Sequence, residues 1–562
     1  MIQRDRYFRT IAIGLFGSMI LALTSCQNNL EQHKAEIDQF AYSAIEKKWD
    51  EKFGIKANYK QRDSEGAEPT VIPEQVIGSD GILTIPEAMI IATANSPIYQ
   101  LEKDNLFAVA LDLRLAKHLY EPNPFGLPSV TYTETEDNSS LSSGGTLGFN
   151  QLLASGGYIS ASISESWVEM LSGGGDLATG NIPSGISRLF SATVSLPLLR
   201  GAGREVALEQ LTVAEDNLLN QVRFFNRFRQ DFVVQVLTQY YSVLELHENM
   251  LIAEENLNRM DRIYARAKDL AEVGRVAIHE VEEIEQEQIL ARDAWILAKS
   301  DYEQLLDEFK LFIGFPPQVE CKLDRNEFLA FAKMVPVPLD FTEEQAIDTA
   351  MSLRPDVANA FDAVIQSERR ARVAGDLTRA ELNLVGTVNQ QRNTDNTYTS
   401  VYTGGITPTL DIGLDRTIEK TEYRRALMML EQAKWMLDER RNTVSQEVRA
   451  ALRKLQEAHD RYALQTQARD KADKRLENTL TLLQYARANT RDVLRAQKDA
   501  YDARNEAADA VTDYAIAQLE FYSDTGIMQI QPDGMWRVDE AAGKESGVSA
   551  VSQTPRQSLA GS

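Results

Sequence analysis

The sequence of 562 residues contains only two cysteines and five histidines. Two cysteines exclude a disulfide scaffold and a cysteine-rich metal module. The histidines are too scattered to predict a metal cluster, and we expect no cofactor. Beyond the N-terminal region no segment reaches 18 consecutive apolar residues, so no transmembrane helix is predicted. A mature chain that crosses a membrane must then do so as a β-barrel.

Basic residues are also scarce, with 59 Lys and Arg against 83 Asp and Glu and a net charge of −24. Nucleic acid is therefore excluded as a partner, because phosphate binding needs clustered cations. A Walker-type phosphate loop, a Gly-x-Ser-x-Gly elbow and a His-Glu-x-x-His motif are all absent, so we do not expect an enzyme. An apolar content of 43% excludes wholesale disorder.

The N-terminus predicts export. A basic segment with Arg4, Arg6 and Arg9 precedes an apolar run from Ile11 to Leu23, which is too short to span a bilayer. The run ends in Leu23-Thr24-Ser25-Cys26, which resembles a bacterial lipoprotein signal box. We predict a signal peptide over residues 1–25 and lipid attachment at Cys26, where acyl chains such as palmitate would anchor the chain. The alternative is an ordinary signal peptide with an incidental cysteine.

The residue after Cys26 is Gln27. By resemblance to bacterial sorting rules, an Asp there would indicate retention in the inner membrane. We therefore predict a lipid-anchored protein of the outer membrane that extends into the periplasm.

Internal repetition indicates a tandem duplication. Thr84, Glu87 and Pro97 recur as Thr342, Gln345 and Pro355 at an offset of 258. Further along, Ala291-Arg292, Asp301-Tyr302 and Gly314 recur as Ala503-Arg504, Asp513-Tyr514 and Gly526 at an offset of 212. The difference between the offsets means that the first half carries 46 extra residues between Pro97 and Ala291.

Each half contains a long stretch with helical periodicity. Residues 198–315 and 409–531 contain no proline, and apolar positions from Leu211 to Val243 recur every three or four residues. A helix from Gly203 to Gly274 would extend roughly 105 Å at 1.5 Å per residue. Helices of this length do not fit within ordinary globular domains. One interpretation of them is a fibrous coiled coil.

Segments between the long helices alternate apolar residues with Ser and Thr, as strands do. The first half has candidate strands at 129–136, 145–153, 157–168 and 187–199, and the second half has them around 381–388 and 398–410. Period-two alternation is typical of a barrel wall with lipid outside and water inside. A soluble half-buried sheet gives the same pattern, so the strands alone leave both interpretations open.

Taken together, these features resemble the TolC-like outer-membrane efflux protein family. Leu83-Thr-Ile-Pro-Glu-Ala88 is similar to the family's opening helix start, and Ser195 to Gly203 is similar to its strand-to-helix corner. Gly274 to Val281 resembles the first helix-hairpin tip, and Ala486 to Leu494 resembles the second. Gly314-Phe-Pro316 resembles the family's helix exit. The resemblance covers residues 83–530 in the family's order.

The resemblance implies a mostly α-helical homotrimer with a membrane β-barrel. Long helical hairpins of three subunits would form an α-barrel tunnel across the periplasm, and their strands would share a barrel in the outer membrane. Two strands per half, four per chain, give a barrel of about 12 strands. The 46 extra residues could add a hairpin to this barrel or form a periplasmic or surface excursion. The implied partners are a periplasmic adaptor protein and an inner-membrane RND or ABC pump.

The two tips are where the family closes its periplasmic entrance. Mapped there, the resemblance indicates Glu280 on the first tip and Arg491, Asp492 and Arg495 on the second as candidate gate residues. Family members often carry two acidic residues three positions apart on the second tip, whereas here Asp492 is followed by Arg495. Salt links between Asp492 and an arginine of another subunit could hold the closed state. Alternatively, these are solvated charges of little consequence.

We expect the following organisation: a signal peptide (1–25), a lipid-anchored segment (26–82), a first repeat (83–318), a linker (319–340), a second repeat (341–530) and a disordered tail (531–562). The predicted function is the outer-membrane duct of a tripartite efflux or secretion system. The main alternative is a structural coiled-coil lipoprotein of the cell envelope without channel activity. A lipid-anchored binding protein or hydrolase is a third hypothesis, without matching pocket chemistry in the sequence.

Overall fold

A computed structural model describes residues 30–56, 59–61, 81–134, 139–172, 185–333, 342–393, 399–411, 415–485, 487–532 and 534–538. The predicted signal peptide and Cys26 lie outside the described residues, as does the end of the predicted tail, 539–562. The helices, in chain order, are α1 Leu30–Lys48, α2 Ile85–Asn95, α3 Pro97–His118, α4 Arg204–Ala207, α5 Glu209–Glu272, α6 Ile278–Phe312, α7 Arg325–Lys333, α8 Glu343–Leu353, α9 Pro355–Leu377, α10 Thr417–Gln484 and α11 Thr490–Asp524. The strands are β1 Ile82–Leu83, β2 Asn123–Glu134, β3 Ser139–Leu152, β4 Tyr158–Ser172, β5 Gly185–Pro197, β6 Lys322–Leu323, β7 Glu381–Asn393, β8 Thr399–Asp411, β9 Met528–Ile530 and β10 Trp536–Val538.

The long helices predicted from the sequence are confirmed. Helix α5 has 64 residues and α10 has 68. Neither contains proline or glycine, which would remove a hydrogen bond or raise the cost of ordering the backbone. Each is followed by a helix of 35 residues, α6 or α11.

Positions related by the two sequence offsets have equivalent structural roles. Helices α2 and α8 have 11 residues each, and both begin at a capping box, Thr84 with Glu87 and Thr342 with Gln345. The glycines that follow α6 and α11 are also equivalent. Both have positive φ, +77° at Gly314 and +75° at Gly526, which favours glycine. A Cβ at Gly314 would meet the backbone of Asn95 at 2.6 Å, and one at Gly526 would meet Leu353, the equivalent of Asn95, at 3.2 Å.

The chain divides into two compact units. The first comprises residues 1–48, 106–222 and 360–436, and within it lie α1 and the large sheet. The second comprises residues 49–105, 223–359 and 437–562, and contains the hairpin tips and most of the buried aromatic side chains. In the second unit, the rings of Tyr99, Phe225 and Phe232 pack together at centroid distances of 5.1 and 6.0 Å, close enough for favourable aromatic contact.

The large sheet of the first unit has six strands, in the order β2-β3-β4-β5-β7-β8, and every neighbouring pair is antiparallel. The sheet therefore has two strands more than the four from which the sequence-based barrel count was made, and of the two alternatives for the extra residues it shows an added hairpin. All four candidate strands of the first half enter the sheet. By the offsets, β2 corresponds to β7 and β5 to β8, so the additional strands are β3 and β4. They lie between β2 and β5 because β3 pairs with β2 and β4 pairs with β5 along most of their length.

Strand structure continues beyond the predicted start of the tail at residue 531. Strand β9 pairs with β10, and this hairpin is held by Arg229 on α5. The buried Arg229 guanidinium donates to the carbonyl oxygens of Ile530 at 2.9 Å and Ile55 at 2.8 Å. A buried charge without hydrogen-bond acceptors is costly. The segments around Ile55 and Ile530, which supply the acceptors, are therefore held against α5.

Candidate functional site: the strand sheet and the helix tips

One side of the six-stranded sheet is apolar, and we call it the apolar face. Through the register, Phe149 lies beside Ala161, Ala161 beside Ala192, and Ala192 beside Val388. Side chains two residues apart share this face. It carries most of the exposed large apolar side chains of the strands: Val130, Tyr132, Leu147, Phe149, Ile163, Ile186, Phe190, Val194, Leu196, Leu384, Val388 and Leu410. The opposite side carries Leu127, Tyr158 and Leu189.

The opposite side, which we call the polar face, is rich in small hydroxyl and amide side chains. Its members include Thr146, Ser160, Ser162, Ser164, Ser191, Thr193, Ser195, Asn383, Thr387 and Asn389. Some bond to each other across strands: Thr146 and Ser164 hydroxyls are 2.9 Å apart, and the Ser191 hydroxyl donates to Asn389 Oδ1 at 2.8 Å. A face with this composition is suited to water contact, whereas its reverse is not.

The two edges of the sheet are unpaired within the described residues. There, β2 pairs with β3 alone, and β8 pairs with β7 alone. An edge strand presents a row of free N–H and C=O groups that can pair with another chain. The sheet therefore has two open edges and an exposed apolar face.

In the second unit, the two helix-hairpin tips contact each other. The Thr490 hydroxyl donates to Glu280 Oε2 at 3.4 Å, and Arg491 Nε lies 3.1 Å from Glu283 Oε2. Beneath them, Leu494 packs on a cluster that includes Met260 and Ile284. Two predicted gate residues, Glu280 and Arg491, are thus brought to one place. The Arg491 side chain is 70% exposed, so its ion pair contributes little stability.

The other two predicted gate residues have different surroundings. Asp492 closes a capping box at the start of α11, in which the Asn489 side chain accepts from the Asp492 N–H at 2.9 Å and the Asp492 carboxylate accepts from the Asn489 N–H at 3.3 Å. Arg495 is exposed and forms no ion pair within the part of the chain that the structure describes. The spacing Asn489-x-x-Asp492 is a sequence signature of such a cap, so the capping role could have been predicted.

Asp492 takes part in this cap and Arg495 does not, so substitutions of the two residues should have different effects on α11. We expect Asp492→Ala to lower the stability of the first turn of α11 by about 1 kcal/mol, because it removes a capping acceptor. Amide hydrogen exchange over residues 489–494 should accelerate about fivefold. Arg495→Ala is the matched control and should leave exchange unchanged. Equal exchange in both variants would contradict the capping role.

A buried ion cluster around Arg354 lies elsewhere in the second unit. The Arg354 guanidinium, only 2% exposed, is 2.7 Å from Asp356 and 2.7 Å from Glu447, and Arg440 contacts Asp356 from the other side. Burial alone would raise the pKa of Asp356, but Arg354 and Arg440 outweigh it and hold the pKa at about 2. The cluster is a structural element that joins α8, α9 and α10. Sequence reasoning missed it because charge patterns do not reveal burial.

The acidic group with the most unusual environment is Glu245 on α5. Burial, reinforced by the nearby Asp509 carboxylate, raises the pKa of Glu245 from 4.5 to about 7. The folded state therefore binds a proton that the unfolded state releases between these values. Stability contributed by this site should fall as the pH rises from about 4.5 to 7.

We expect Glu245→Gln to remove this pH dependence. Because a tenfold change in proton affinity corresponds to about 1.4 kcal/mol, a pKa raised from 4.5 to about 7 predicts a variant roughly 3 kcal/mol more stable than the wild type at pH 8. At pH 4 the two proteins should be equally stable. Thermal unfolding of the detergent-solubilised protein at both pH values measures the difference. A variant with the same pH profile as the wild type would contradict the assignment.

None of the described helices combines the length and the apolar character that crossing a bilayer requires. Within the same residues, no three His, Cys, Asp or Glu side chains are grouped as a metal ion would need. The free thiol of Cys321 is buried, and burial raises its pKa, which makes it unreactive.

The chain is similar to several solved structures of outer-membrane proteins. The CmeC outer membrane channel of Campylobacter jejuni aligns over 89% of this chain and 95% of its own, with a TM-score of 0.59 and 12% identity. CusC, described with conformational changes accompanying folding and transmembrane channel formation, aligns over 84% and 96%, with a TM-score of 0.57 and 13% identity. The open state of the MtrE channel of Neisseria gonorrhoeae aligns over 84% and 98%, with a TM-score of 0.55 and 14% identity.

The chain has the fold of outer-membrane channels. The predicted resemblance to the TolC-like family is confirmed at the level of this fold. CmeC and MtrE are both described as outer-membrane channels. No family model and no curated protein sequence matches the chain, so the channel fold is recognised through structure.

Proposed function

We propose that the protein is the outer-membrane channel of a tripartite efflux or secretion system. It would pass substrates from the periplasm or from an inner-membrane pump to the cell exterior. The observation that carries this proposal is the six-stranded sheet with one apolar face, one hydroxyl-rich face and two open edges. In hydrocarbon, unpaired strand edges are too costly to persist, so such a sheet must close on itself or on further copies.

The dimensions of the apolar face suit an outer membrane. On β7 the uncharged part of the face runs from Leu382 through Val388 to Gln390. A charged row follows, where Arg188 pairs with Glu165 at 3.0 Å, and Ile186 lies beyond that row. Eight residue steps extend about 27 Å along a strand. At the usual tilt of about 40° they span about 21 Å, close to the roughly 25 Å apolar band of outer-membrane barrels. The Arg188–Glu165 pair would then lie near the outer headgroups.

Apolar stripes on the long helices support side-by-side packing with further copies. On α6, exposed Ile289 and Leu290 recur seven residues later as Ile296 and Leu297. The same spacing separates exposed apolar pairs on α10: Met428 and Met429, then Trp435 and Met436. A seven-residue apolar repeat is typical of helices that pack lengthwise against a neighbour. A homotrimer built from two tandem repeats per chain, as the resemblance implies, would supply such neighbours.

The hairpin tips are the candidate contact with a periplasmic adaptor. Val273 and Ile278 on the first hairpin and Tyr485 on the second are each at least 68% exposed. Exposed apolar groups clustered at a helix end favour docking of another protein. We place the gate at Glu280, Arg491, Asp492 and Arg495, and expect the inner-membrane pump to supply the energy. Cys26 would carry the lipid anchor after removal of residues 1–25.

The proposal is tested on protein extracted from outer membranes in mild detergent. We expect it to migrate as a trimer and to give discrete conductance steps in planar lipid bilayers. The rival hypothesis, a coiled-coil spacer lipoprotein, predicts no conductance under the same conditions. A Cys26→Ala variant serves as a second comparison, because it should lose the lipid but keep the conductance.

A further inference from the structure

The β3–β4 hairpin adds two strands to the sheet that the second half of the chain lacks. We propose that this hairpin is part of the membrane wall, so that three copies close an eighteen-stranded barrel with a wide, hydroxyl-lined outer pore. The inference rests on the proposed channel function and deepens it. It assigns the hairpin the role of setting the width of cargo that can leave the channel.

The position of the hairpin supports this role. Strand β3 pairs with β2 from Asn123 to Glu134 without interruption, and β4 pairs with β5 from Tyr158 to Val168. The hairpin therefore lies in the middle of the sheet. An excursion away from the membrane would instead join β2 directly to β5 and leave the hairpin outside the ladder. Three backbone ladders, β2 with β3, β3 with β4 and β4 with β5, include the extra residues and fix their register.

Both faces of the sheet continue through the inserted strands. Leu147, Phe149, Ile159 and Ile163 extend the apolar face, and Ile163 is 58% exposed. Between them, Thr146, Ser160, Ser162 and Ser164 extend the polar face. A soluble extension would have no need of the exposed Leu147, Phe149 and Ile163 on one face. The alternation is what a strand between lipid and water requires.

The strand number sets the diameter of the pore. With strands about 4.8 Å apart and tilted by about 40°, eighteen strands enclose a backbone diameter of about 36 Å, against about 24 Å for twelve. The cross-section then differs about twofold. The lumen would remain open, because the polar face of β3 and β4 carries mainly Ser, Thr, Gly and Asn.

This lining indicates the class of cargo. In the described middle portions of β3, β4 and β5 the polar face carries no ionised side chain, so the outer pore would not discriminate by the sign of charge. It would discriminate by size. We therefore assign the channel bulky, water-soluble cargo, wider than a twelve-stranded pore admits.

The first experiment places single cysteines on adjacent residues of β4 in a Cys321→Ala background. Ser162→Cys lies on the polar face and Ile163→Cys on the apolar face. In intact outer-membrane vesicles, a small charged maleimide should label Ser162→Cys at least tenfold faster than Ile163→Cys. Equal labelling, or faster labelling of Ile163→Cys, would place the hairpin outside the membrane wall and overturn the inference. Conductance of the wild type would be unaffected by that outcome, so the proposed function would stand.

The second experiment measures pore width. Deleting residues 139–184 removes 46 residues and joins β2 to β5 through residues 135–138, much as residues 394–398 join β7 to β8. Thr193→Cys on the polar face of β5 is the reporter in both proteins. Using maleimides on polyethylene glycols of graded size, added from the outside, we expect the deletion to lower the largest accepted diameter by about a third. An unchanged cut-off would overturn the inference.

If the deletion variant does not assemble, the strand count of the wild-type trimer decides. Electron cryo-microscopy in lipid nanodiscs should resolve eighteen strands in the barrel. Twelve strands, with the hairpin elsewhere, would overturn the inference while leaving a channel in place. A protein without a barrel and without conductance would instead contradict the proposed function itself.

Discussion

Val388→Arg is expected to prevent assembly of the membrane-inserted protein. Val388 lies at the centre of the apolar face, is 52% exposed and has Ala192 as its cross-strand neighbour. If this face contacts lipid, an arginine near the midplane costs about 2–4 kcal/mol in each copy. Three copies in one barrel multiply that cost, so we expect less than a tenth of the wild-type yield of trimer from outer membranes.

The adjacent Thr387→Arg is the matched control. Thr387 lies on the polar face, so its substitution places a charge in water and should leave assembly nearly unchanged. The added positive charge should shift the ion preference of the channel towards anions, because a charged ring in a pore attracts the opposite ion. Extraction yield and reversal potential in a salt gradient measure both effects. A wild-type yield of trimer for Val388→Arg, or a strongly reduced yield for Thr387→Arg, would contradict the assignment of the two faces.

Arg354→Met is expected to destabilise the second unit by about 3–5 kcal/mol, the cost of breaking a buried ion pair from one side. The substitution leaves the partly buried carboxylates of Asp356, Glu447 and the nearby Asp524 with less compensating charge. Arg441→Met is the control, because Arg441 is half exposed and lies 3.9 Å from Asp438. Such a surface pair contributes about 0–1 kcal/mol.

The same variant should change the response to acid. In the wild type, Asp356 has a pKa of about 2, below its ordinary value of 3.8, so its stabilising charge is lost only as the pH falls from 3.8 towards 2. Without Arg354 the pKa of Asp356 rises towards its ordinary value of 3.8, so the variant should lose less stability than the wild type as the pH falls from 3.8 to 2. Thermal unfolding between pH 2 and 7 measures the shift. A variant with wild-type stability at neutral pH would show that Arg354 does not hold the cluster together.

Much of the fold could be predicted from the sequence. The absence of proline and glycine over more than a hundred residues leaves few alternatives to long helices. The capping boxes at Thr84 and Thr342 were also visible in the sequence. A glycine just after a helix, such as Gly314, marks the end of that helix in the sequence, because the backbone there adopts a left-handed conformation that other residues rarely adopt. The candidate strands also appeared where alternation predicted them.

The strand count could not be predicted, for a physical reason. Alternation reports which side chains share a face, but it does not report which strand pairs with which. The inserted β3 and β4 carry the same pattern as their neighbours, so the sequence could not distinguish a hairpin in the sheet from one outside it. The Arg354 cluster was missed for a related reason. Arg354 follows the end of α8, Asp356 lies on α9, and Arg440 and Glu447 lie on α10, so their burial follows from packing that no local pattern records.

The candidate gate shows the limit of reasoning by resemblance. Mapping the tips predicted a gate at Glu280 and Arg491, and the contacts that these residues form join Glu280 to Thr490 and Arg491 to Glu283. Asp492 uses its carboxylate in a helix cap. These bonds lie within one chain, so a gating role for the same residues depends on what the tips contact in the assembled channel.

We propose that the polar face of the sheet lines a water-filled pore. The most direct test records single-channel current from trimers carrying Thr387→Cys or Val388→Cys in the Cys321→Ala background. A bulky charged thiol reagent added from the barrel side should lower the current of Thr387→Cys in up to three discrete steps, one per subunit, and leave Val388→Cys unchanged. If the reagent leaves the current of Thr387→Cys unchanged, or blocks the current of Val388→Cys alone, the polar face does not line the pore.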